Sequence, residues 1–190
     1  MESLIKKIQQ DGKIIMPNIV KVDGFLNHQI DTSFCREIAK EFKRRFSEKP
    51  VTKIVTIEAS GIALALAVAY EFDDVPVVFA KKGSSATIGQ DVYSKKVHSF
   101  TKNITYDAMV KKEFLSADDH VLIIDDFLAN GEAVEGLLDI CKQAKANVAG
   151  VGIVIEKGFQ DGRKRIIDKG YQLESLAIIK EFKEGQIIFQ

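Results

Sequence analysis

HVLIIDDFLANGEA, residues 120–133, is the stretch whose reading decides the fold. Its apolar run, Val121 to Ile124, has the length of a buried strand. Two adjacent carboxylates, Asp125 and Asp126, follow. A loop of mostly small residues then leads into a helical pattern in which Val134, Leu137, Leu138 and Cys141 share one face. In an open α/β sheet, ligands bind just past the carboxyl ends of the strands, and the acid pair is expected at such a strand-to-loop transition. The loop Ala129, Asn130, Gly131, Glu132, Ala133 opens a helix, where free N–H groups and the helix dipole favour a phosphate. Carboxylates that accept from ribose hydroxyls, followed by a phosphate cradle, suit a sugar phosphate. A plainer reading of the same residues is a buried strand, an acidic cap and an ordinary helix.

Strand and helix patterns alternate on either side of this stretch, which predicts a mainly parallel sheet with helices on both faces. Lys53 to Ile57 is a β-branched run, followed by Glu58-Ala59-Ser60-Gly61 and an alanine-rich helix to about Phe72. Val77 to Lys81 reads as a strand, Tyr93 to Thr105 as a hairpin, and Val148 to Ile155 as a glycine-punctuated buried strand. Residues 161 to 170 read as helical, and Leu173 to Phe182 with Gln186 to Phe189 as the last strands. Near the start, Leu4, Ile5 and Ile8 stripe a short helix stopped by Gly12. Residues 19–28 read as a strand and an irregular turn outside the main sheet. Phe34, Ile38, Phe42 and Phe46 then recur at four-residue steps on a core helix capped by Asp31 or Thr32.

At 190 residues the chain suits a single domain with a substantial core. Lys plus Arg and Asp plus Glu balance at 27 each, so no net field favours nucleic acid or an anionic membrane. The clusters Lys43-Arg44-Arg45 and Arg163-Lys164-Arg165 read as solvated helix faces. Cys35 and Cys141 lie in helical patterns and read as reduced core thiols, which points to a cytoplasmic setting. The three histidines lack metal-ligand spacing. The opening MESLIKKIQQDG is too polar for a secretory signal, and the apolar run 61–70 is about half a membrane span.

In a parallel sheet, four stretches share the carboxyl rim: 58–61, 80–82, 125–133 and 156–159. Glu58-Ala59-Ser60-Gly61 can offer backbone N–H groups and the Ser60 hydroxyl to a second phosphate group. Lys81 and Lys82 can neutralise a pyrophosphate. Lys82 to Gln90, KGSSATIGQ, reads as a mobile loop able to close over it.

The acid pair and its loop resemble the phosphoribosyl pyrophosphate motif of type I phosphoribosyltransferases, in which the turn usually ends Thr-Gly-x-Thr. The hydroxyl donors of that turn are missing here. Backbone donors then carry more of the binding, and Glu132 beside a phosphate is unfavourable unless it points away. Further stretches, KVDGFLNHQID (21–31), TIEASGIA (56–63), FAKK (79–82), HSFTKN (98–103), VLIIDDFLANG (121–131) and EKGFQDG (156–162), make nearly the whole chain similar to bacterial xanthine phosphoribosyltransferases. The Ala-Asn-Gly loop that departs from the general motif is the pattern of that branch.

The resemblance implies an α/β, type I phosphoribosyltransferase-like fold in one domain spanning 1–190. Residues of about 1–30 and the C-terminal strands contribute a small hood. It implies transfer of phosphoribose from phosphoribosyl pyrophosphate to xanthine, with Mg²⁺ accompanying the pyrophosphate and no metal held firmly by protein side chains. Asp125 and Asp126 face the ribose hydroxyls, and Ala129 to Ala133 hold the 5′-phosphate. Ser60, Gly61 and Lys81 serve the pyrophosphate side. Val20, Asn27, Phe127 and Lys157 contact the base, with Lys157 the cation suited to an exocyclic oxygen of an acidic purine. A homodimer without nucleic-acid or membrane partners is also implied. Transfer to hypoxanthine and guanine, or to adenine, and a non-catalytic sensor of phosphoribosyl pyrophosphate are the other readings open at this stage.

Overall fold

The computed structural model describes residues 1–15, 18–83, 89, 91–99 and 103–190. Its elements run α1 (Glu2–Asp11), β1 (Lys13–Ile15), β2 (Ile19–Lys21), a π-helical turn (Asp23–Asn27), α2 (Thr32–Arg45), β3 (Lys53–Ile57) and α3 (Gly61–Glu71). They continue with β4 (Val77–Gly83), β5 (Val92–Ser99), β6 (Ile104–Lys111), β7 (His120–Leu128), α4 (Glu132–Gln143), β8 (Asn147–Lys157), α5 (Gly162–Ile167), β9 (Leu173–Lys183) and β10 (Gln186–Phe189).

One eight-stranded sheet runs in the order β10-β9-β8-β7-β3-β4-β6-β5. The five strands from β9 to β4 are parallel, joined through α3, α4 and α5. At the two edges, β10 and the β5–β6 hairpin pair antiparallel. The strand, hairpin and helix expectations therefore hold in their essentials. Of the loop expected over 82–90, residues 84–88 and 90 lie outside the described residues.

Both faces of the sheet are covered, which is why its central strands are apolar on every residue rather than on alternate ones. On β7, Leu122 and Ile124 join a core with α1, α2 and α3, whereas Val121 and Ile123 join a second core with α4 and α5. The four-residue stripe of α2 is buried throughout, from Phe34 to Phe46. Asp31 caps this helix by accepting from the Phe34 amide at 3.1 Å.

β1 and β2 form a separate two-stranded ribbon. With the π-helical turn it forms the N-terminal segment expected to act as a hood, and Phe25 and Leu26 anchor that turn in the core. The C-terminal strands, β9 and β10, lie in the main sheet. α1 rests on β9, where the amino terminus donates to the Leu176 carbonyl.

β7 runs on through both acids to Leu128, still in register with β8 through Asp125↔Ile153 and Phe127↔Ile155. The expected transition after Ile124 thus comes four residues later. Ladder hydrogen bonds come from backbone groups, and a polar side chain does not end them. No helix among the described residues is long and apolar enough to cross a membrane.

Candidate active site

A cleft of about 660 Å³ opens along the carboxyl rim of β3, β4, β7 and β8, beneath the hood. Because β7 stays paired past the acids, Asp125 and Asp126 are held on a strand rather than a loop, at 5% and 8% exposure. Each accepts from the amide of the next residue: Asp126 N–H to Asp125 Oδ1, and Phe127 N–H to Asp126 Oδ1, both at 3.0 Å. Burial, with the Asp126 charge beside it, lifts the Asp125 carboxyl well above the ordinary range.

Beyond β7 the chain turns at Ala129-Asn130-Gly131 into α4. Gly131 takes φ 89°, a left-handed conformation that favours glycine. Its side-chain position is also closed, since a Cβ there would come within 3.1 Å of the Gly162 Cα. From the far side, the Gly162 amide donates to the Ala129 carbonyl at 3.1 Å. The loop is therefore backed by the start of α5 while its open side, with the first turn of α4, faces the cleft. This suits an anion held by backbone N–H groups. Glu132 lines the cleft, but its carboxylate is engaged by Arg165 at 2.6 Å.

Across the cleft, β3 ends in the turn 58–60, where the Glu58–Ala59 peptide bond is cis and Ser60 faces the opening. Gly61 does not line the cleft; it lies buried at the start of α3, over Thr56. Lys81 is not brought to the site either. Side chains alternate along β4, so Ala80 and Lys82 share one face while Phe79 and Lys81 share the other. Lys81 lines a separate cleft of about 700 Å³ with Phe79 and Met109. Lys82 takes the place expected of it: its amide donates to Glu58, and its ammonium lies 5.1 Å from the centre of the Tyr106 ring.

At the hood end the cleft meets Val20 and Asn27, with Phe127 and Lys157 on the sheet side. Lys157 is half-buried, and burial lowers its pKa. Among the described residues no acid lies within ion-pair distance of it. Two further contributors carried no signal in the sequence: Tyr106, which the antiparallel hairpin brings to the same cleft as Asp125, and Gln160, three residues beyond Lys157. The Gln160 Oε1 is buried without a partner among the described residues, an acceptor at the cleft wall. Arg163 and Arg165 are not solvated as expected. Arg163 makes paired 2.7 Å bonds to Glu156, which is 1% exposed.

The arrangement places an anion cradle, an acid pair and a cation-bearing pocket along one opening. Comparison with known proteins agrees in kind. The family model described as a phosphoribosyl transferase domain matches residues 22–185. A protein of Clostridium novyi (strain NT) named xanthine phosphoribosyltransferase is 54% identical over 190 residues, covering 100% of both chains. One of the same name from Levilactobacillus brevis is 51% identical over 189 residues, covering 100% of this chain and 98% of that one. Among solved structures, an adenine phosphoribosyltransferase of Giardia lamblia in complex with 9-deazaadenine superposes with a TM-score of 0.77. It covers 92% of this chain and 96% of that chain at 23% identity, a likeness of fold.

Proposed function

This chain belongs to the phosphoribosyltransferase family, and we propose that it transfers the phosphoribosyl group of phosphoribosyl pyrophosphate to xanthine, giving xanthosine 5′-monophosphate and pyrophosphate. The observation that carries the choice of base is Lys157, a half-buried cation without an acid partner among the described residues, on the wall of the cleft that also holds the acid pair. Xanthine has two exocyclic oxygens and is partly anionic near neutral pH, so a desolvated ammonium suits it better than it suits an adenine amino group. The names of the full-length relatives support the same choice.

The phosphate loop 129–133 holds the 5′-phosphate through backbone N–H groups, and Asp125 and Asp126 accept from the ribose hydroxyls. Ser60 and Lys82 face the pyrophosphate. Val20, Asn27 and Phe127 surround the purine, with Asn27 able both to donate and to accept on its edge. A purine ring nitrogen bonds to the anomeric carbon while the bond to pyrophosphate breaks, its electron pair leaving with the pyrophosphate oxygen. Positive charge develops on the ribose, where the acid pair opposes it, and negative charge develops towards Lys82. Positioning and electrostatics thus supply the rate. The base enters as an anion paired with Lys157, and no protein base is required.

Mg²⁺, bound together with the pyrophosphate, would supply charge neutralisation to the departing oxygens. The residues present fit it: Asp125 and Asp126 offer hard oxygen donors. No group of three His, Cys, Asp or Glu side chains among the described residues forms a metal cage. The proposal extends to a homodimer in the cytoplasm. The dimer part of the proposal is supported by Leu66 and Tyr70, one turn apart on α3, which are 48% and 63% exposed.

Pyrophosphate release with Mg²⁺, phosphoribosyl pyrophosphate and a panel of xanthine, guanine, hypoxanthine and adenine tests the reading. Turnover is expected to be fastest with xanthine. Faster turnover of another purine would refute the base assignment, and binding without turnover would refute catalysis.

A further inference from the structure

The first turn of α4 carries two acids, Glu132 and Glu135, at the helix end where a phosphate is to be bound. An unpaired carboxylate there competes with the ligand for the same N–H groups and repels it. Both acids are paired from one direction. Arg165, on α5, places Nη1 at 2.8 Å from the Asn130 carbonyl oxygen and at 2.6 Å from Glu132 Oε1. Its Nη2 donates to Glu135, which also pairs with Lys169. Arg165 is 35% exposed and Glu132 31%, so the pair is partly buried rather than in open solvent.

We propose that Arg165 is a positioning residue for the phosphate loop, and that it is what permits a glutamate at position 132 to stand beside the 5′-phosphate. The proposal rests on the reading of 129–133 as the phosphate loop. One guanidinium holds three groups at once. Nη1 draws the Glu132 carboxylate aside and fixes the Asn130 carbonyl so that the adjoining amides keep their direction into the cleft, while Nη2, the other arm of the planar fork, holds Glu135. With Lys169 it sets two positive charges against two negative ones. An incoming phosphate then meets the helix N-terminus instead of a carboxylate. Arg165 acts from behind the loop through Glu132 and Asn130, with Gly162 as the neighbouring anchor on Ala129.

The test is a kinetic cycle of Arg165→Gln, Glu132→Gln and the double variant, with Arg165→Lys alongside. Arg165→Gln is expected to raise the KM for phosphoribosyl pyrophosphate about tenfold, as loss of a charge-assisted bond implies. In the reverse direction it should raise the KM for xanthosine 5′-monophosphate to the same degree. The KM for pyrophosphate, which has no 5′-phosphate, should be unchanged. In the Glu132→Gln background the effect of Arg165→Gln should shrink to about threefold or less, because the charge to be neutralised is gone. Arg165→Lys should be intermediate, and it keeps the test open if Arg165→Gln fails to fold. An equal factor in both backgrounds, or an equal rise in the KM for pyrophosphate, would overturn the proposal. Calorimetric titration of the same proteins with ribose 5-phosphate separates this from the reading beneath it. Wild-type binding without turnover refutes the enzyme reading while the cycle in affinities still decides the role of Arg165.

Discussion

Gly61→Ala should distort the pyrophosphate side of the cleft from beneath, although residue 61 does not line it. A Cβ at this position would lie 2.0 Å from Thr56 Oγ1 and 3.4 Å from both Thr56 Cβ and Asp125 Oδ1. Ordinary helix propensity favours the substitution by about 1 kcal/mol, so without the clash it would be neutral or stabilising. Thr56 is fully buried on β3, between β4 and β7, and the obstructing oxygen is not the free end of a flexible chain. Such overpacking costs about 1–3 kcal/mol, which should reverse the sign of the change. Urea unfolding should register it as a lower midpoint with an unchanged slope. The turn 58–60 should also shift, with a higher KM for phosphoribosyl pyrophosphate and little change in that for xanthine.

Thr56→Ala supplies the decisive control. It removes the obstructing oxygen and leaves the remaining Cβ contact at 3.4 Å, an ordinary approach. The oxygen removed is itself buried without a partner, so the fold loses no hydrogen bond with it. Gly61→Ala should therefore be close to neutral in the Thr56→Ala background, giving a coupling energy of about 1 kcal/mol or more. Equal costs in the two backgrounds, or an unchanged urea midpoint for Gly61→Ala alone, would refute the reasoning.

Asp126→Asn should lower kcat/KM by about 100-fold or more if the acid pair opposes developing ribose charge, and near-normal turnover by that variant would sink the assignment. Lys157→Met should raise the KM for xanthine about tenfold and erode the preference over hypoxanthine; an unaltered purine profile would reject Lys157 as the partner of the base. Asp125→Asn should affect stability with a definite pH dependence. Burial raises the folded carboxyl pKa above its unfolded value, so the native state holds the extra proton more tightly. Stability of the unliganded wild type then falls as pH rises from the ordinary aspartate range through the folded pKa. The urea midpoint of the variant relative to wild type, followed from about pH 4 to about pH 8, should rise across that window, whereas parallel profiles would contradict the desolvation argument.

Much of the frame was legible because it is written in periodicity. The four-residue stripe of α2 and the apolar runs of β3, β7 and β8 reflect burial on one face of a helix and on both faces of a parallel sheet. Side-chain polarity misled where backbone pairing decides. Asp125 and Asp126 look like the start of a loop, yet β8 keeps them on the strand to Leu128. Lys81 and Lys82 are indistinguishable by composition; only the strand register sends Lys82 to the cleft and Lys81 to the opposite face. Tyr106 had no local mark at all, because its place is fixed by hairpin pairing to β5 and by β4 beyond. Arg165 was hidden for a related reason. A basic cluster looks solvated until the topology brings its acids, 30 or more residues away in sequence, against it.

The distribution of paired and unpaired polar groups points to the same cleft independently of any motif. Away from it the fold satisfies its buried charges. Glu156 has Arg163 and Ser175, and Asp119 has Lys53 and the Ser116 amide. Around it, Asp125 is buried against a like charge, and among the described residues Lys157 is half-buried without an acid and the Gln160 oxygen has no donor. Groups so placed destabilise a free site, since each loses water without gaining a full set of partners. Their persistence on one opening, in a chain that pairs its buried charges at Glu156 and Asp119, is intelligible if a bound substrate completes them. Ribose hydroxyls, an acidic purine and its ring N–H groups supply donors and acceptors of the required sign. On the proposed reading, the same preorganisation that raises the energy of the free site would lower the barrier once phosphoribosyl pyrophosphate and the base occupy it.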